Sequence, residues 1–343
     1  MDKVFDSARD CRLIYSSPAQ NKSTLTVLNS KLTALAQRFQ ISDTKKESML
    51  RVASAMLSNQ IKHAGGRGQI QLWQQPGPVL DILAVDYGPG IAPSRPTEMP
   101  TEDKGLATIR QLSDESFTYS QAESVGASKK WSGAIFLSRF HVSSDTREVG
   151  DLTDFKVGLF SSSASDNHHN GDRIYLYKFG KTLRWLHLDG LGHGMHAQAA
   201  TDHLANHLVH CESPEALLLA VNRQLVGTRG AVAISGEMDA AHHTLQLLGV
   251  GDMHAHLYNS KTISDIPFTP GILGREHQPL TPFHAEFSKK CMIITASDGI
   301  RRNLDLGNFI DLFNQPPQLI AYTLGNIMGR ISDDQSLCVL AVG

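Results

Sequence analysis

No stretch of the 343 residues approaches the roughly 18–20 consecutive apolar residues that a membrane-spanning helix needs, so no membrane passage is expected. The opening residues, MDKVFDSARD, lack an apolar signal core, and a cytoplasmic location is the expectation. Cysteine is scarce. Cys11, Cys211, Cys291 and Cys338 stand far apart with no C-x-x-C pair, which argues against a cysteine-built zinc site and for reduced, mostly buried thiols. Charge of either sign is not in excess: 32 Lys and Arg face 34 Asp and Glu, a net of −2, which excludes a strongly basic nucleic-acid binder. Internal repeats and low-complexity tracts are absent as well. What remains is a 41% hydrophobic, 19% charged chain, ordinary for a folded globular protein and long enough for two cores. The near-neutral total conceals an asymmetry. Residues 1–148 carry 18 basic and 15 acidic side chains (+3), whereas 149–343 carry 14 and 19 (−5), so carboxylates are available to gather around a cation in the second half.

The apolar spacing predicts strands at 11–15, 69–73, 80–85 and 133–140, and helices at 25–39, 45–63 and 106–112. Ser42 or Asp43 can cap the second helix, and Gly65, Gly66 and Gly68 end it. A Pro/Thr/Glu-rich stretch at 92–103 has the composition of a lid. The pattern is α+β, helices layered on one sheet, and the boundary falls at 145/146. Beyond it, strands are predicted at 173–179, 183–189, 231–236, 244–248, 254–258, 292–296 and 336–342, with helices at 195–210 and 214–226, which reads as a β-sandwich covered by helices.

Three pieces of residues 1–145 suit a nucleotide. Asn59, with His63 on the same helix, offers an amide that can ligate Mg²⁺ between phosphates. Asp86, with Gly88 and Gly90 after a strand, can accept the adenine amine where the backbone comes close. Gly105 opens a helix whose N–H groups face phosphate. The order MLSNQIKHAGGRGQI, VDYGPGI, GLATIRQLSDES resembles the GHKL ATPases, a Bergerat-type sandwich, and within them the RsbW/RsbT anti-sigma and switch kinases. That resemblance implies ATP with Mg²⁺ held by Asn59, Asp86, Gly88, Gly90 and Gly105. Two positions depart from it: Ala55 stands where such kinases carry a glutamate base, and Ala107 replaces a phosphate-loop glycine. Alanine accepts no proton, so kinase activity would need another base; His63 is a candidate, with helix-end packing the blander role.

In the second half, Asp189-Gly-Leu-Gly-His-Gly194 lies between a strand and a helix. Gly171-Asp172 precedes a strand, Ser297-Asp298-Gly299-Ile300 follows one, and Ser332-Asp333-Asp334 precedes the last. Acidic residues at strand ends from four distant segments are what a two-ion site for hard cations requires, and the Gly190 carbonyl can add a ligand. Two ions about 3.5–4 Å apart can activate a hydroxide for in-line attack on a phosphomonoester. The set, with GTRGAV at 227–232 and GVGD at 249–252, resembles the PPM-type Ser/Thr phosphatases of the SpoIIE/RsbX branch over about residues 157–343. The resemblance implies Asp172, Asp189 and Asp298 as the catalytic carboxylates, and Asp172, Asp189, Gly190, Asp298 and Asp333 as ligands of two Mn²⁺ or Mg²⁺ ions, with Asp334 the alternative register to Asp333.

Arg173 follows the first aspartate and is read as a solvent-facing strand-edge residue or, alternatively, a phosphate contact. His193, inside the metal motif, can hydrogen-bond the site. The pairs His203/His207, His254/His256 and His168/His169 find no Glu or Cys partner by spacing and are read as solvated positions rather than zinc ligands. The joint resemblance implies a partner-switching phosphatase acting on a phosphorylated STAS-domain protein, with no nucleic-acid or membrane partner. A fully bifunctional kinase and phosphatase, or a non-catalytic sequestering module, are the alternatives left open.

Overall fold

The computed structural model describes residues 4–20, 22–77, 79–91, 104–123, 131–142, 152, 154–164, 169–260, 262–288 and 291–343. The lid-like stretch 92–103 and His168 lie outside them. Two compact units divide the chain: Leu13–Arg147 with Gly307–Gln315, and Met1–Arg12 with Glu148–Leu306 and Pro316–Gly343. This differs from a single cut at 145/146, because the first residues supply β1 (Phe5–Asp6) and the short α1 (Ser7–Asp10) to a sheet of the C-terminal unit. No helix among the described residues is long and apolar enough to cross a membrane.

The N-terminal unit holds β2 (Arg12–Pro18), α2 (Lys22–Arg38), α3 (Asp43–Ala64), β3 (Gly68–Gln75), β4 (Val79–Asp86), α4 (Lys104–Leu112), β5 (Glu115–Gln121) and β6 (Gly133–His141). Its five strands form one sheet in the order β2-β3-β4-β6-β5. Helix α3 starts where the Ser42 side chain accepts the Lys45 N–H and ends at Gly65, whose φ of 61° closes the last turn beside Lys62 and His63. Met49, Val52, Ala53, Met56 and Leu57 fall on one face of it. They meet Leu28 and Leu32 of α2 and Ile70, Leu72, Ile82 and Phe136 of the sheet in a single core.

The C-terminal unit continues with β7 (Phe155–Ser162), β8 (Asp172–Phe179), β9 (Thr182–Gly190), α5 (Met195–Thr201), α6 (Ala205–His210), α7 (Pro214–Leu225), β10 (Ala231–Asp239), β11 (Thr244–Val250), β12 (His254–Tyr258), β13 (Ile263–Ile266), β14 (Phe283–Glu286), β15 (Met292–Ala296), α8 (Pro317–Met328) and β16 (Gln335–Val342). Its sheets have the orders β1-β8-β9-β10-β11-β14 and β13-β12-β15-β16-β7. They face each other, since His187 of β9 reaches Thr295 of β15 and Ser336 of β16. Helices α5 to α7 bury Ala200, Leu204, Leu208, Leu217 and Val221 on the first sheet, and α8 covers β7 and β16 of the second. The helix expected over 195–210 is two helices. His203, at φ 64°, breaks it between Thr201 and Ala205.

Candidate metal centre

The β8–β9 hairpin sets the first two carboxylates. Asp172 and Asp189 are directly opposed partners at its open end, beyond which Gly190 N–H donates to the Gly171 carbonyl at 3.2 Å. A Cβ on Gly190 would stand 2.6 Å from the Ala197 carbonyl oxygen, so only glycine lets α5 close down on this turn. Asp298 enters from the turn after β15. Ser297 and Ser336 tie that turn to β16 by exchanging Ser297 N–H to Ser336 O and Ser336 N–H to Ser297 Oγ. A Cβ on Gly299 would lie 1.8 Å from the Asp334 carbonyl oxygen, which again forces glycine.

Asp333 and Asp334 play separate parts. Asp334 is buried and spends both oxygens on backbone, accepting from Ala164 N–H at 2.8 Å and Gly171 N–H at 2.7 Å. It staples the two loops together. Asp333 is half-buried, accepts the Asp334 N–H, and acts electrostatically on both Asp189 and Asp298.

Asp172 is 1% exposed, and its Oδ1 has no hydrogen-bond partner among the described residues. Its Oδ2 accepts from Ser336 Oγ at 2.7 Å. The single Ser336 proton is thereby used, so His187 Nε2–H must donate to Ser336 Oγ (2.7 Å). Burial pushes His187 down to about 3, so it is neutral and its Nδ1 accepts from Thr295 Oγ1 at 2.9 Å. Thr295, His187 and Ser336 thus form a chain that orients Asp172 from beneath. Nothing in the sequence marked His187, whose partners come from the facing sheet.

The carboxyl groups oppose one another. Burial, then the charges of Asp334 and Asp298, push Asp172 up to about 7, with the neighbouring Ser297 and Ser336 hydroxyls opposing the shift. Burial raises Asp189 well above the ordinary carboxylate range, reinforced by Asp172, Asp298, Asp333 and Asp252. Burial, with Asp333 and Asp252, raises Asp298, while Arg330 and a hydrogen bond with Asp189 oppose the shift. Two carboxylates come this close only with a proton or a cation between them. The orphaned Asp172 oxygen and the mutual repulsion therefore fit divalent ions, and oxygen donors suit Mg²⁺ or Mn²⁺. Among the described residues, no three His, Cys, Asp or Glu groups are already drawn together as a ready metal cage. Beside the cluster a cavity of about 770 Å³ is lined by Leu191, Asp252, His254, Phe268 and Arg302 among others.

Several side chains stand elsewhere than expected. Arg173 is 4% exposed and ion-paired to Asp6 (3.1 Å) and Asp202, because β1 and the end of α5 cover its strand; it is not at a solvent edge. His254 and His256 are buried, not solvated. His254 Nε2 meets the Ile300 carbonyl (3.0 Å), its Nδ1 meets His256 Nε2 (3.0 Å), and His256 Nδ1 meets Asp265 (2.7 Å). His203 and His207 are separated by the helix break, and His207 bonds Gln224. His193 is exposed and makes no hydrogen bond among the described residues.

In the N-terminal unit, Asn59, His63, Asp86 and Gly90 line one cavity of about 280 Å³, with Ile91, Leu106 and Phe136. Asp86 Oδ1 accepts Gly88 N–H (2.9 Å) and Ala134 N–H (3.1 Å), while Oδ2 makes no hydrogen bond among the described residues. Burial raises the Asp86 pKa against those two bonds. Gly105 abuts Asn59, whose Oδ1 would lie 2.6 Å from an added Cβ. Ala55 packs against the core.

The two facing sheets with helices outside, carrying carboxylates at one rim, are a fold shared with a solved structure that matches 54% of the chain. A bacterial stressosome structure matches at 24% identity and TM-score 0.50, over 54% of this chain and 98% of its own. RsbX in complex with magnesium matches at 18% and 0.49, over 55% and 96%. The Bacillus subtilis SpoIIE phosphatase domain with a fragment of its regulatory domain matches at 12% and 0.46, over 93% and 95%. Likeness at such identities is one of fold. No family model matches the sequence, and no curated protein does.

Proposed function

We propose that the chain is a metal-dependent phosphoprotein phosphatase of a partner-switching pathway, removing phosphate from a serine or threonine of a STAS-domain partner. The observation that carries this is the Asp172–Asp189 pair at the open end of the β8–β9 hairpin, with Asp172 Oδ1 left without a partner and the charges of Asp298 and Asp333 acting on Asp189. These four carboxylates, with the Gly190 carbonyl, would hold two Mn²⁺ or Mg²⁺ ions. The ions would supply an activated water and screen the phosphoryl charge. The protein's own part is positioning. Thr295, His187 and Ser336 fix Asp172, the paired serines fix the Asp298 turn, and Asp334 locks the loop before Asp172. The stressosome neighbour supports the pathway context.

The N-terminal unit is read as an ATP-binding regulator. Its cavity joins Asn59 to Asp86, whose free Oδ2 suits an adenine amine, and Gly105 lies against Asn59 at the start of α4. With alanine at position 55, the unit lacks a base there for phosphorylating a partner.

The test is hydrolysis of a phosphorylated STAS protein and of p-nitrophenyl phosphate by the full chain, with EDTA or with Mn²⁺ or Mg²⁺. Metal-dependent release of phosphate that Asp189→Ala abolishes supports the reading; no release with either metal overturns it.

A further inference from the structure

Arginines of the C-terminal unit differ in how their guanidinium groups are used. Arg173 and Arg184 are buried, each in an ion pair. Those around the carboxylate cluster are exposed. Arg301 and Arg302 of this set each donate to a backbone carbonyl, of Ile327 and Asp252. Arg229 and Arg330 do not: neither guanidinium makes a hydrogen bond or ion pair among the described residues, although Arg330 is near enough to act electrostatically on Asp298.

Their places are fixed by backbone. Arg229 precedes Gly230, whose carbonyl accepts the Leu191 N–H at 3.1 Å, two residues beyond Asp189. Its Nη1 lies 3.0 Å from where a Cβ on Gly192 would stand, so the guanidinium rests on the Asp189–Gly194 loop. On the other segment, Arg330 N–H donates to the Gly299 carbonyl at 2.8 Å, and its own carbonyl accepts from Asp333 N–H (3.1 Å) and Gln335 Nε2 (2.8 Å). Its Cα is thus held between the turns that carry Asp298 and Asp333. Two cations on separate loops, each anchored by backbone hydrogen bonds, border one cluster, and both keep their hydrogen-bond donors unused.

We propose that Arg229 and Arg330 select substrates by binding acidic residues that flank the phosphorylated side chain, so that phosphopeptides of acidic context are favoured over those of basic context. The proposal rests on the phosphatase reading above. Partly exposed ion pairs of this kind are each worth roughly threefold to fivefold in kcat/KM, and salt screens them.

The experiment uses the full chain at saturating Mn²⁺ and two synthetic phosphoserine peptides, identical except for Glu or Lys at the four positions around the phosphoserine. The expected result is a preference of about tenfold for the Glu peptide at low salt, shrinking at 0.5 M NaCl. Arg229→Glu and Arg330→Glu should each cut the ratio about fivefold or more, and the double variant should favour the Lys peptide. Mn²⁺ titration of each variant reports whether the metal site survives. A wild-type ratio near one overturns the proposal. So does a double variant that loses both peptides equally, which would place the arginines on the phosphoryl group or the metal site instead. If p-nitrophenyl phosphate is hydrolysed and the peptides are not distinguished, only the selectivity proposal falls. If nothing is hydrolysed, the phosphatase reading falls with it.

Discussion

Replacing Asp172 by asparagine separates a carboxylate that waits for a cation from one that merely braces the fold. The side chain keeps its shape, 1% exposure and the Ser336 contact, but loses its charge. Without divalent ions, burial holds the Asp172 carboxyl at about 7 against an ordinary 3.8. The folded state then retains a proton that the unfolded chain has released between those two values. Wild-type stability therefore falls as pH rises from 3.8 to 7, and the full cost applies above 7. At about 1.4 kcal/mol per decade of proton affinity, that cost is about 4 kcal/mol. In EDTA at pH 8, Asp172→Asn should thus be the more stable protein, by up to about 4 kcal/mol. With a urea slope of about 2–3 kcal/mol/M, that is a midpoint shift of roughly 1.5 M, read by circular dichroism. Adding Mn²⁺ should stabilise the wild type and leave the variant nearly unmoved, so the gap closes or reverses. A variant less stable than wild type in EDTA at pH 8 would refute the reasoning, because Asp172 would then be satisfied without a cation.

Other perturbations follow from the same packing. Arg184, 4% exposed, pairs with Glu237 and donates to the carbonyls of Leu208 and Glu212; Arg184→Ala should cost about 3–5 kcal/mol in urea unfolding, and a loss below 1 kcal/mol would contradict that role. Asp86→Asn should abolish ATP binding, measured by calorimetry, while Mn²⁺-dependent hydrolysis of p-nitrophenyl phosphate by the same variant continues. Burial, aided by His256, lowers His254 to about 4, so the unfolded chain takes up its proton first as pH falls from about 6.5. Stability should decline by up to about 3 kcal/mol between pH 6.5 and 4, and His254→Gln should flatten that slope in pH-dependent unfolding. Gly325→Ala in α8 would drive a methyl to 2.4 Å from the Phe160 ring, and a loss of about 1–3 kcal/mol in thermal unfolding is expected.

Elements with one wet face were readable in the sequence. Helix α3 shows its buried stripe and both caps, and β4 runs visibly into the Asp86 turn. Elements without such contrast were not. Helix α8 is buried on nearly every side from Pro317 to Gly325, so it has no amphipathic period to detect. Strand β7 ends in serines that resemble a linker, and β5, ESFTYSQ, is a polar edge strand. In the site, glycine-flanked aspartates announced themselves because close backbone approach demands glycine beside each of them. Asp333 and Asp334 could not be told apart by spacing, since the difference lies in which one receives the Ala164 and Gly171 amides. Arg173, His187, His254 and His256 were misjudged or passed over for one reason: their partners, Asp6, Thr295, Ile300 and Asp265, come from segments that only the fold brings near.

The most direct test of the metal centre is isothermal titration of Mn²⁺ into the EDTA-stripped, dialysed full chain, beside Asp189→Asn and Asp298→Asn. Saturable binding by the wild type, with stoichiometry approaching two and severely weakened in both variants, is the expected result. Absence of binding by the wild type, or binding that both variants retain, would contradict the assignment of these carboxylates to divalent ions.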